Sequence, residues 1–348
     1  MRKVFLLAII ICMLITPVCA SEIDISPPPA PDSAAEFMPA TIDSFGNSLW
    51  HIVKKAVSVL NPSLASAAGV CLSLASVSIL VSVVSHLGTG VSGVVSLVAT
   101  VCISTILLQQ TNALLQLGRQ TVSELYEYGK LLLPVMTAAM AAEGGVTASA
   151  SLYAGTALFS SILTSIITNF IIPMVYVFTA ICICSRAVGQ DILEKIKKFI
   201  KWMMTWSLKI VLYVFTGYMG ITKVVSGTVD AAALKATKLT MSGFVPVIGG
   251  IISDASEAVL VSARLMKNAA GIYGMLAIIA VFIHPFLKIG IQYLLLKATA
   301  SVCAMFGTKQ STGIIQDFSV SMGYILAMTG TVCVMLLIST VCFMKGIS

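Results

Sequence analysis

Charge is what this sequence has least of: only 10% of its 348 residues are Asp, Glu, Lys or Arg. Soluble domains carry about 25%. With 58% apolar residues and a mean hydropathy of +1.00, so thin a charged complement cannot cover a folded surface in water. Lipid must be the solvent for most of the chain. Histidine is rarer still, with His51, His86 and His284 only. A His-based metal centre therefore has almost no ligands to draw on. The apolar stretches carry no His-Glu-x-x-His, no paired aspartates and no serine with a base nearby. Gly307-Thr308-Lys309 lacks the upstream glycine spacing that cradles phosphate. No catalytic residue, cofactor or metal is expected.

The net charge is +7, but the cations are scattered through short stretches between apolar runs. That pattern suits topology control by lysine and arginine, and nothing resembles a basic stripe with interleaved aromatics for nucleic acid. Nine cysteines are present. Cys12 and Cys19 fall in the leader and the others in apolar segments, so they read as small core residues rather than a disulfide framework.

At the N-terminus Arg2 and Lys3 precede an apolar run from Val4 to Thr16 and then Pro17-Val18-Cys19-Ala20. This is a secretory signal pattern, with cleavage expected after Ala20. Residues 21–62 follow as an acidic linker bearing Pro27-Pro28-Pro29, then an amphipathic helix expected over Thr41–Ala56. Ile42, Phe45, Leu49, Ile52 and Val53 recur there at helical spacing, with Trp50 suited to a headgroup interface.

Residues 63–348 read as the multi-spanning domain. Val70–Leu87 and Val91–Leu108 form a tight hairpin, and the polar stretch Gln109–Lys130 is expected outside. Leu131–Ala142 is short for a span and reads as partial or re-entrant. Val146–Cys184 would be about 58 Å as one helix, twice the hydrocarbon core of about 30 Å. It is therefore expected to fold back near Asn169 and Pro173. Residues 185–201 read as a cytoplasmic basic loop and Trp202–Val225 as a span. Residues 226–268 read as an extracytoplasmic amphipathic segment, Ser253 or Asp254 capping its helix. Two apolar segments meet at His284-Pro285, Gly307–Asp317 is a loop, and Met322–Phe343 is the last span. The fold class expected is an all-α polytopic membrane protein with about seven, or nine, crossings and a cytoplasmic C-terminus. If the Pro285 pair counts as one crossing, the C-terminus moves outside.

His284 and Lys288 are the intramembrane polar candidates, on one helix face if the helix continues. No intramembrane carboxylate is expected to pair with them, and a stand-alone small-solute permease that they line is the alternative function. Lys209 lies near enough to the basic face to snorkel. Two further segments stand out. One runs from Leu133 through Pro134 and an alanine-rich helix to Glu143, Gly144 and Gly145, then Val146-Thr147-Ala148-Ser149-Ala150. The other holds Phe244-Val245-Pro246-Val247-Ile248-Gly249, Asp254, Glu257, and Lys267-Asn268 with Gly271.

At these two segments the sequence resembles the stage III sporulation protein AE family of endospore-forming bacteria, from about Val70 to the C-terminus and in the leader. Residues 21–56 match poorly. The resemblance implies a mother-cell protein in the outer forespore membrane, an integral subunit of a channel or secretion-like complex needed for forespore development after engulfment. Its implied partners are the other stage III A-operon proteins, among them a separate ATPase and ring-forming subunits. Pro134, Gly144, Gly145, Phe244, Pro246, Gly249, Asp254, Glu257, Lys267 and Asn268 are then candidates for structure and partner contact, and residues 226–268 for docking partners.

Overall fold

The computed structural model describes residues 27–42, 44–87, 92–188, 191–244, 249–306 and 308–345, and of these only the backbone at 86–87, 92, 191, 223–244, 249–264 and 266. The leader lies outside the described residues. Nine helices are described: α1 (Asp32–Ala35), α2 (Phe45–Ser58), α3 (Asn61–Leu87), α4 (Ser92–Ala142), α5 (Val146–Ile166), α6 (Ile172–Val188), α7 (Asp191–Phe244), α8 (Gly249–Phe306) and α9 (Lys309–Lys345). No strand occurs among the described residues. Among the described residues, five helical stretches are long and apolar enough to cross a membrane: Asn61–Ser85, Gly93–Ala142, Val146–Val188, Lys267–Phe306 and Lys309–Lys345. The 202–225 segment is helical within α7 but is not among them.

Long rods replace most of the expected breaks. Gln109–Lys130 does not interrupt the helix, and Leu131–Ala142 is not a separate short helix; both lie in the 51-residue α4. The polar residues of that stretch recur every three or four positions, which a helix accommodates on one face. Thr105, Gln109, Asn112, Gln116, Arg119, Gln120, Ser123, Glu127 and Lys130 are all exposed. They fall within about 100° of arc at about 3.6 residues per turn. Pro134 is carried inside this helix.

Nor does Val146–Cys184 fold back. A π-helical turn, Ile167–Ile171, joins α5 to α6, and the Ile172 N–H bonds Ile167 O. Pro173 would press its ring on the carbonyl four residues earlier, and the wider turn just before it relieves that clash. The break expected near Asn169 is thus a bulge in one rod. Pro285 likewise sits inside α8, so the two segments around it are one rod and not an in-and-out pair. Most of 185–201 is helical too, closing α6 and opening α7. Asp317 belongs to α9 and not to a loop.

The reversal at Glu143-Gly144-Gly145 appears as expected. Gly144 has φ 96°, the left-handed conformation that favours glycine. Its N–H bonds Ala141 O at 2.9 Å, and the Gly145 N–H bonds Met140 O at 3.1 Å. This pair of bonds is a Schellman cap.

The final helix is the centre of the bundle. α9 packs on α4, α5, α6, α7 and α8, and Phe318, Met322, Ile325, Met328, Leu336 and Phe343 are buried along it. Glycines let α4 approach closely: a Cβ at Gly118 would sit 2.7 Å from Ile325 Cγ2, and one at Gly129 3.0 Å from Leu336 Cδ2. In α2, Ser44 Oγ caps the helix by accepting from Asn47 N at 3.2 Å. Its apolar face, with Ile52 and Ala56 buried, rests on α8. Trp50 points outward, 69% exposed.

Candidate functional site: two buried ion sites and the His284 face

Where α6 turns into α7, four charges meet α9. Asp317 Oδ2 accepts from Arg186 Nε at 3.1 Å, Arg186 Nη2 at 2.9 Å and Lys197 Nζ at 2.9 Å. Glu194 Oε1 accepts from Lys197 Nζ at 2.6 Å and Ser185 Oγ at 3.3 Å, and lies 3.6 Å from Arg186 Nη2. Two cations face two carboxylates, so the cluster is neutral while tying three helices together. Lys197 and Asp317 are nearly enclosed, with side chains 4% and 6% exposed. Such burial is tolerable only because each charge is paired and hydrogen-bonded. The hydrogen bond from Lys197, helped by the charges of Lys197 and Arg186, holds the Glu194 carboxyl below its usual range against the opposing effect of burial. Gly313 gives Arg186 its room, since a Cβ there would lie 2.5 Å from the guanidinium carbon. Residues Arg186, Ala300, Lys309, Thr312 and Gln316 line an open groove of about 390 Å³ beside it.

A second ion site lies where α4 reverses into α5. Lys267 Nζ, at the described start of α8, donates to Glu143 Oε2, and both side chains are buried. The site brings together the two segments singled out in the sequence, Glu143-Gly144-Gly145 and Lys267-Asn268. Gly271 and Gly274 allow the approach. A Cβ at Gly271 would meet Met344 Cγ at 2.4 Å, and one at Gly274 would meet Leu132 Cδ1 at 2.7 Å. Asn268 is half-buried and Pro134 exposed. Phe244 and Gly249 bound the two helices. Pro246 lies outside the described residues, as do the side chains of Phe244, Asp254 and Glu257.

His284 and Lys288 do share a face of α8, and both are half-buried. The His284 ring stacks on Phe37, centroids 5.8 Å apart and planes 21° from parallel. Phe37 comes from the segment before α2, which also bonds α8 and α4 directly. The Ala30 N–H donates to Tyr273 Oη at 3.2 Å, and Ser33 Oγ to Glu124 Oε2 at 2.6 Å. Of the three carboxylates in the ion sites, sequence reasoning missed Asp317 and Glu143 as buried groups. Asp317 and Glu143 looked like loop residues, and their signal was only that each stands beside a helical apolar run. Among the described residues no group of three His, Cys, Asp or Glu could hold a metal ion. The two sites fasten helices to one another.

No solved structure matches this chain. It is 23% identical over 208 residues to stage III sporulation protein AE of Bacillus subtilis (strain 168), an alignment covering 60% of this chain and 52% of that protein. The chain thus spans about half the length of that curated relative. The family model described as stage III sporulation protein AE matches residues 34–346, so both ion sites and every described helix from α2 to α9 fall within it, and the chain belongs to the stage III sporulation protein AE family.

Proposed function

We propose that this chain is an integral membrane subunit of the channel or secretion-like complex that joins mother cell and forespore, set in the outer forespore membrane. The observation that carries this reading is the family match over 34–346 on a chain whose helices are apolar enough for lipid. It acts without catalysis of its own, and energy comes from a separate ATPase in the same assembly; ring-forming subunits complete it. Residues 226–268 dock extracytoplasmic partners.

Six rods then cross the bilayer: α3, α4, α5 with α6, α7, α8 and α9. Successive rods run in opposite directions. The end that carries Arg186, Lys195, Lys197, Lys198 and Lys201 faces the cytoplasm, following the bias of cations to that side. An even number of crossings puts the C-terminus outside. An alkaline phosphatase fusion after Lys345 is then active and a green fluorescent protein fusion dark; the reverse pair of signals overturns the six-rod topology.

The function is tested by deleting the chain in its native host. Small or collapsing forespores with failed late forespore gene expression are expected after engulfment, whereas normal spores would discard the reading. Replacing Pro246 and Gly249 should leave insertion intact and abolish co-purification of partners. The stand-alone permease is the weaker alternative, because Phe37 covers the His284 ring that would line its path.

A further inference from the structure

The bundle has two unlike flanks at the same height. Thr156 of α5 and Ser339 of α9 share a hydrogen bond of 2.6 Å, and Gly129 of α4 packs on Leu336 three residues away. This sets Gly129, in the second half of α4, level with the middle of α5. Around that level α5 and α7 expose Leu158, Ile162, Ile210, Tyr213 and Val214. Near that level α4 exposes Ser123, Glu127 and Lys130, and the same face continues through Arg119 and Gln116 about 15 and 20 Å further along the axis. A bilayer placed to cover the apolar flank must take in the α4 flank at the same depth.

The hydrophilic face is also as long as a membrane is thick. From Thr105 to Lys130 every residue at the centre of that face is polar or charged, a distance of about 38 Å along the axis against a hydrocarbon core of about 30 Å. Charged groups at such depth face a bundle interior or water, since lipid cannot solvate them. Among the described residues nothing covers the α4 face, whose nine polar side chains are all exposed. Its flanking contacts are themselves polar: Gln120 Nε2 donates to Glu124 Oε1 at 2.8 Å, and Ser33 reaches the other oxygen of that carboxylate.

We propose that the α4 face lines a water-filled passage through the membrane, closed on its open side by further copies of this chain that turn the same face inward. The inference rests on the reading of the chain as a membrane-spanning subunit and assigns the surface by which it conducts. One bundle cannot enclose a stripe on its own outer surface, so a wall must come from neighbours. Arg119 and Lys130 against Glu124 and Glu127 give the face both signs of charge, so like faces can oppose without a net repulsive field. A lumen so lined passes hydrated solutes of either sign and selects against apolar ones.

The test uses single-cysteine variants of the full chain, in sealed membranes of the sporulating host, on a background freed of native cysteines. A membrane-impermeant maleimide should label Gln116→Cys, Arg119→Cys, Ser123→Cys and Lys130→Cys, and leave Leu158→Cys and Ile162→Cys unlabelled. A bifunctional maleimide should then join two chains through Gln116→Cys or Ser123→Cys. Loss of labelling along α4 overturns the aqueous face, because a partner then seals it. Equal labelling of both flanks overturns it as well, because the bundle would then lie outside the bilayer. Labelling of α4 without any cross-linked pair of chains overturns the wall of like copies. Each of these results is independent of the forespore phenotype: a failed labelling pattern beside a failed-forespore deletion would leave a subunit of the complex that does not line its passage.

Discussion

The two ion sites differ in how many helices depend on each charge. At the α6–α7 end, Asp317 alone receives Arg186 and Lys197 from two other helices, and Glu194 shares Lys197 as a second acceptor. At the α4–α5 end, one lysine meets one carboxylate beside a capped turn. The first site is a network whose members can partly substitute for one another, except at its centre. The second joins Lys267 to Glu143 beside glycines that bring the backbones together. Redundancy at the rim and dependence at the centre is the expected outcome of the first arrangement; mutual dependence is that of the second.

The largest effect should come from the centre of the network. Asp317→Ala strips the acceptor from both Arg186 and the enclosed Lys197, and breaking a buried pair by removing one partner costs about 3–5 kcal/mol. The detergent-purified protein should lose thermal stability accordingly, and α6, α7 and α9 should become accessible to limited proteolysis together. A loss no greater than that of a surface substitution would remove the distinction between centre and rim.

The pair should behave differently under double substitution. Lys267→Met leaves the Glu143 carboxylate without its lysine, at a cost of about 3 kcal/mol. Adding Glu143→Gln removes the charge and should restore much of the loss, giving a coupling of about 0.5–3 kcal/mol in a double-mutant cycle of thermal midpoints. Additive losses would show that the two residues are stable for unrelated reasons. The glycines sharpen the contrast. At Gly313 a new methyl group would meet a guanidinium pinned by Asp317, while at Gly271 it would meet the adaptable Met344 side chain. Gly313→Ala should therefore cost about 1–3 kcal/mol, as overpacking does, and Gly271→Ala less.

Much of this architecture could be read from the chain, and the failures share one cause. The turn at Gly144 and the helix around Ile52 announced themselves by glycine pairing and by period. The reversals expected at Pro173 and Pro285 did not occur, because a π turn and neighbouring rods hold the backbone where local chemistry alone would break it. The length argument failed with them, since a helix may outrun the hydrocarbon when its ends pack on other protein. Gln109–Lys130 read as a polar stretch outside the membrane because polarity was counted along the chain; its meaning lay in the three- and four-residue spacing that gathers it on one face of α4. The ion sites were the least legible. Arg186 and Asp317 lie 131 positions apart, as Glu143 and Lys267 lie 124 apart, and neither pairing has a local sequence signal.

The smallest effect belongs to the rim of the network. Glu194 is more than a third exposed, so solvent screens it and its removal should scarcely change stability at neutral pH. Its pH dependence is the more telling measurement. Because its folded-state carboxyl titrates below its unfolded value, the stabilisation is present above the ordinary carboxylate range. It is lost as pH falls through the lowered folded value, where protonation releases Lys197 from its second acceptor. Thermal midpoints of the purified protein should fall with acidification, and Glu194→Gln should show a shallower fall over that window with little change at pH 7. A variant with an unchanged acid slope would show that Glu194 carries none of the dependence, and the rim would then add nothing to the hold of the network.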